Sequence, residues 1–172
     1  MVNAYNAVRM AEFWQLLYGK TAKTSHNEVS LTSSKYQSTD YLYSNASSIS
    51  KSISVSSNIN IENIYVTVKL AIGDPDDLQL KLKGPGGQEF LLYYDKDLYG
   101  SNGDAVGADL GVSHYGKTYT FGVKHALGMS SSGNWTLELI DTANGYNYGY
   151  NTTAALLEWQ LKFHGSSSTN NE

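Results

Sequence analysis

The sequence predicts an all-β fold: an antiparallel jelly-roll β-sandwich preceded by one N-terminal helix. Three observations carry this expectation. About eight or nine short segments along the chain, densest from residue 51 onward, show the two-residue apolar alternation of strands. Clusters of Gly, Pro, Asn and Asp separate these segments, with no helical periodicity between them. The composition agrees: Tyr, Ser, Asn and Gly are abundant while charged residues make up only 16%, a mixture that suits a turn-rich sandwich.

Taken in order, residues 3 to 18 give the helical pattern. Asn3 can cap it, and Ala4, Ala7, Val8, Ala11, Trp14 and Leu17 recur at three- and four-residue spacing. Residues 19–50 are polar and read as a linker or meandering loop. A candidate first strand lies at Glu28 to Thr32, with Val29 and Leu31 inward, and Tyr41 to Tyr43 are candidates for packing back on the core. The sandwich is expected over residues 51–165. Ile53 and Val55 alternate with serines. Ile64, Val66, Val68, Leu70 and Ile72 form the longest strand, and Gly73-Asp74-Pro75-Asp76-Asp77 turns the chain. Leu78, Leu80 and Leu82 mark the next strand, Gly84-Pro85-Gly86-Gly87 the next turn, and Phe90 with Leu92 a third strand. A long polar loop runs from Asp95 to about Gly111. Tyr119, Phe121 and Val123 follow as a strand, then Ala126 to Met129 as a buried connection. Trp135, Leu137 and Leu139 share one strand face and Asp141 closes that strand. In the closing strand Leu157, Trp159, Leu161 and Phe163 alternate with polar residues, and Gly165 is expected to stop it. Residues 166–172 have nothing to bury and are expected to be a disordered tail.

The bulk properties exclude several functions. A length of 172 residues fits one domain. The net charge is −4 and Arg9 is the only arginine, so no basic stripe exists for a nucleic-acid backbone. No apolar run approaches the length of a membrane span. The start at Met1 lacks the basic-then-apolar pattern of a secretory leader. The absence of cysteine excludes disulfides, thiol catalysis and thiolate metal sites. Asn45, Asn134 and Asn151 head glycosylation tripeptides, which chance also supplies in a chain this rich in Asn, Ser and Thr.

The best ligand-site candidate is acidic. Asp95, Asp97, Asn102, Asp104 and Asp109 share one glycine-containing loop, a spacing that can give a Ca²⁺ ion its oxygens. The competing reading is a solvated acidic loop. Asp74, Asp76 and Asp77 form a weaker cluster that doubles as turn and strand-start residues. Tyr146, Tyr148 and Tyr150 invite either sugar stacking or packing along a sandwich edge. His26, His114, His125 and His164 lie in loop-like or strand-end contexts, and no nucleophile motif accompanies them. The chain is therefore read as carrying no catalytic set.

Several motifs occur in a telling order: Ile64-Tyr65-Val66-Thr67-Val68, Asp77-Leu78-Gln79-Leu80, Gly84-Pro85-Gly86-Gly87, Gly133-Asn134-Trp135-Thr136-Leu137, and Leu157-Glu158-Trp159-Gln160-Leu161 followed by Gly165. Together they resemble the P domain, or Homo B domain, of kexin-like and other subtilisin-family serine proteases. Val2 to Ala11, followed by Phe13-Trp14, resembles the last helix of such a protease's catalytic domain, which would make Met1 an artificial or internal start. Two departures stand out. Ala71-Ile72-Gly73 replaces the family's frequent histidine before the Asp-Leu strand, and Gly84 replaces a serine. The resemblance implies a secreted parent endopeptidase whose triad lies upstream. Residues 1–18 would then belong to the catalytic domain, which becomes the intramolecular partner. The alternative is an independent glycan- or surface-binding module.

Overall fold

A computed structural model describes residues 28–43, 48–73, 78–94, 113–142 and 152–167. These form nine strands: β1 (Glu28–Thr32), β2 (Tyr36–Tyr43), β3 (Ser48–Val55), β4 (Ile59–Ile72), β5 (Leu78–Lys83), β6 (Glu89–Tyr94), β7 (Ser113–Val123), β8 (Gly133–Asp141) and β9 (Thr152–Ser167). The described residues include no helix, and the helix expected over 3–18 lies outside them.

Every strand pairing is antiparallel. One sheet runs β2-β9-β4-β7, with β1 beside β2 along the same side of β9; the other runs β3-β8-β5-β6. This order, with neighbouring strands crossing between sheets, is a jelly roll, as the sequence predicts.

The alternation that identifies the strands also builds the core. Ile64, Val66, Val68, Leu70 and Ile72 of β4 are fully buried, as are Leu78, Leu80 and Leu82 of β5 and Leu137 and Leu139 of β8. Trp135 lies among them. Its ring centroid is 5.3 Å from Phe163 and 6.5 Å from Phe90, and its Nε1–H donates to the Ser131 carbonyl at 2.8 Å. Trp159 is equally buried, but its Nε1–H has no acceptor among the described residues.

Four expectations need correction. The segment 19–50 was expected to hold one short strand, yet β1, β2 and the start of β3 occupy its described part. β1 and β2 are two pieces of one edge, separated where Ser33 turns the chain. The Leu161 N–H donates to Ser33 Oγ at 3.0 Å, the Ser33 N–H to the Leu161 carbonyl at 2.9 Å, and Gln160 Nε2 to the Ser33 carbonyl at 2.9 Å. The hydroxyl thus substitutes for a missing backbone acceptor. Second, Gly165 does not end its strand, and Ser166 and Ser167 belong to β9 rather than to the tail. A Cβ at Gly165 would run into the Asn60 carbonyl oxygen, because β4 bulges at Glu62 and brings its backbone close. Third, Leu157 leaves the inward row, because the pairing shifts there from Lys69↔Glu158 to Leu70↔Leu156. Last, the connection 126–129 buries Ala126 but leaves Leu127 71% exposed.

Candidate functional site

Strand ends divide the sandwich into two faces of different character. The register pairs Tyr43 with Thr152, Ile72 with Ala154 and Ser113, and Leu78 with Asp141. The ends flanking residues 44–47, 74–77, 95–112 and 143–151 therefore gather at one end of the molecule. Every predicted ligand residue falls in these intervals. Asp95, Asp97, Asn102, Asp104 and Asp109, with Asp74, Asp76, Asp77 and the three tyrosines 146, 148 and 150, lie outside the described residues. Among the described residues, no group of three or more His, Asp or Glu side chains stands close enough to hold a metal ion.

The rim of this end is tightly bonded. Asp141, read from the sequence only as a strand closer, is 2% exposed and accepts a hydrogen bond from Thr153 Oγ1 at 2.6 Å. The Gly73 N–H donates to the Thr153 carbonyl at 2.9 Å, tying β4 to β9 at their margin. Tyr41 and Tyr43 lie two apart on the outer face of β2, about half exposed, with ring centroids 6.1 Å apart.

Between the sheets, the open edge of β2 and β3 is closed by charge. Lys51 Nζ contacts Asp40 Oδ1 at 2.5 Å and sits 5.8 Å from the Tyr36 ring centroid, while Tyr36 OH donates to Asp40 Oδ2 at 2.5 Å. The Lys51 hydrogen bond, then that of Tyr36, holds the Asp40 carboxyl below its ordinary range; the Asp40 hydrogen bond pushes Lys51 up. Inward charges on edge strands discourage pairing with another chain. The outer face of the β3-β8-β5-β6 sheet carries a second network. Lys83 lies 3.0 Å from Glu138 and 3.2 Å from Glu89, and Lys81 lies 3.6 Å from Glu89. Glu138, then Glu89, raises the Lys83 pKa, and Lys83 lowers that of Glu89.

The opposite end holds a cleft that the sequence reading missed. Its volume is about 360 Å³, and its lining includes Glu28, Ser30, Glu62, Tyr65 and His164. Pairing Ser30 with His164 brings β1 against β9, and Ser30 Oγ lies 2.9 Å from His164 Nδ1. The Tyr65 ring meets the imidazole edge-on at 5.4 Å. The signal was available: His164 is one step out of phase with the buried Trp159, Leu161 and Phe163, so it faces outward. Ser30 and His164 resemble a nucleophile and its base. No carboxylate among the described residues hydrogen-bonds the imidazole to orient it, so the described residues form no triad. His125 is exposed in a turn, His114 is a β7 position, and His26 lies outside the described residues. No helix among the described residues is long and apolar enough to cross a membrane.

Comparison with known proteins bears on this geometry. The sequence profile of the proprotein convertase P-domain matches residues 61–163, from near the start of β4 to Phe163 of β9. The fold is similar to that of the Aeromonas sobria serine protease in its complex with a chaperone, with a TM-score of 0.64 and 20% identity over 90% of this chain and 29% of that one. The crystal structure of the Aeromonas sobria serine protease gives a TM-score of 0.53 and 19% identity over 87% of this chain and 29% of that one. This chain thus spans less than a third of the length of either of these two chains. No curated protein matches it significantly by sequence. The profile match covers more than half of the chain and takes in β5 to β8 with most of β4 and β9: the chain belongs to the proprotein convertase P-domain family.

Proposed function

We propose that the chain is the non-catalytic C-terminal P domain of a secreted subtilisin- or kexin-like serine endopeptidase, and that it supports the folding and stability of the catalytic domain. The observation that carries this reading is the family match over the whole span from β4 to β9. The physical basis is apolar surface shared between two domains: each domain stabilises the other by the free energy of their contact. The test is expression of the parent protease with and without residues 28–167. The expected result is a lower folding yield and faster thermal inactivation in the truncated enzyme. Unchanged yield and inactivation would remove the stabilising role.

Calcium binding by Asp95, Asp97, Asn102, Asp104 and Asp109 belongs to the same proposal. It rests on the spacing of these acids and on the strand ends that gather on either side of them. Millimolar Ca²⁺ should raise the melting temperature of the wild type, by about 2.7 kcal/mol of stabilisation if the ion is at 100 times its Kd, and Asp104→Ala should lose the gain. No shift in the wild type would sink the site. A second reading, glycan binding, is favoured by the exposed pair Tyr41 and Tyr43. Saturable sugar binding by calorimetry, lost on Tyr41→Ser, would support it.

A further inference from the structure

We infer that the cleft lined by Glu28, Ser30, Glu62, Tyr65 and His164 is a docking point for a lysine or arginine side chain carried by the domain upstream of Glu28. The inference rests on the proposed function, since it names where the preceding domain touches this one. Three observations lead to it.

The first is charge. Glu89, Glu138 and Glu158 each pair with a lysine. Glu28 and Glu62, the other described glutamates, make no ion pair among the described residues, and both line the same cleft with no lysine in its wall. The second is shape. Tyr65 is 42% exposed and presents a ring beside these carboxylates, while Ser30 and Tyr65 fix the imidazole of His164 from two sides. A guanidinium or ammonium can face carboxylates and rest on an aromatic ring at once. The third is position. Glu28 opens β1, so the polypeptide that precedes the sandwich reaches it at the rim of this cleft. A domain tethered there has a high effective concentration at the cleft, so one weak ionic contact can be populated.

The test has two arms. In the first, the 172-residue chain is titrated with N-acetyl-arginine amide, with N-acetyl-glutamate amide as control, while NMR signals of Tyr65 and His164 are followed. Saturable shifts with a dissociation constant on the order of millimolar, salt-sensitive and weakened at least about tenfold by Glu28→Gln with Glu62→Gln, support the cleft. Absence of saturation, shifts that survive the double substitution, or equal shifts with the glutamate derivative overturn it. In the second arm, Asn63→Cys, in the wall of the same cleft, is introduced into the full-length protein and labelled with a photoreactive group; this chain has no cysteine of its own. Cross-links that map to an upstream domain support the occupant, and cross-links anywhere else overturn it. Failure of the first arm beside an upstream protease domain defeats the cleft and leaves the family role standing. Success of the first arm in a protein with no protease domain upstream defeats the occupant and the proposed function together.

Discussion

Gly165 makes the sharpest test of how the sandwich is held together. It lies inside β9 and pairs with Ile61 of β4 on one side and Val29 of β1 on the other. A Cβ there would strike the Asn60 carbonyl oxygen and stand 2.9 Å from the carbonyl carbon and 3.2 Å from the Glu62 nitrogen. These are backbone atoms of a paired strand, so no side chain can rotate out of the way. Forcing atoms into a packed interior costs about 1–3 kcal/mol, and with backbone as the obstacle the upper end applies. For a domain of this size about 1 kcal/mol moves the melting temperature by roughly 2–4 °C. Gly165→Ala should therefore melt roughly 6–12 °C below the wild type. Gly122→Ala is the matched control. It sits on β7, where an added Cβ has nothing within 4 Å, and it should gain about 0.5 kcal/mol by restricting the unfolded chain. Thermal unfolding followed by circular dichroism would read both. A Gly165→Ala protein melting within roughly 3 °C of the wild type, or an equal loss in Gly122→Ala, would refute the argument from close approach.

Ser33→Ala removes the acceptor of the buried Leu161 N–H and should cost about 1–3 kcal/mol in urea unfolding; Ser33→Thr should recover most of it, and equal losses in both would contradict the role of the hydroxyl. Trp135→Phe strands the Ser131 carbonyl, whereas Trp159→Phe breaks no bond among the described residues, so the first should cost about 1 kcal/mol more than the second. Comparable melting temperatures would count against this difference. Asp40 has a folded pKa below its ordinary 3.8, so the stability it contributes is complete above the unfolded value and fades as pH falls through the folded one. Asp40→Asn should be less stable than the wild type by about 0.2–1 kcal/mol at neutral pH, with the gap closing in acid. A gap independent of pH would show that the effect is not ionic.

Much of this architecture was legible because buried strands repeat every two residues. The inward rows of β4, β5 and β8 are all visible as alternating Ile, Val and Leu. Legibility failed where the repeat was broken. In β4 the bulge at Glu62 moves the inward set from Ile59 and Ile61 to Ile64, and in β9 Leu157 slips out of phase. In β6 a similar shift buries Tyr93 and leaves Leu92 only partly covered. β2 was hidden for another reason. As an edge strand it needs few apolar residues, and its inward charge at Asp40 reads as loop. The cleft escaped notice because Ser30, Glu62 and His164 come from three strands distant in sequence. Only the register brings them together.

β9 is the ninth strand in chain order, yet β1, β2 and β4 all bond to it. On the ribosome β1 and β2 have no strand to join until β9 has been made, while β4 can pair earlier with β7 alone. Until then one edge of β4 stays unpaired, and folding is set by its most distant pairings. A polypeptide released early would lack the shared partner and remain open to proteolysis. The last strand to leave the ribosome is thus the one that joins the first two to the rest of the sheet.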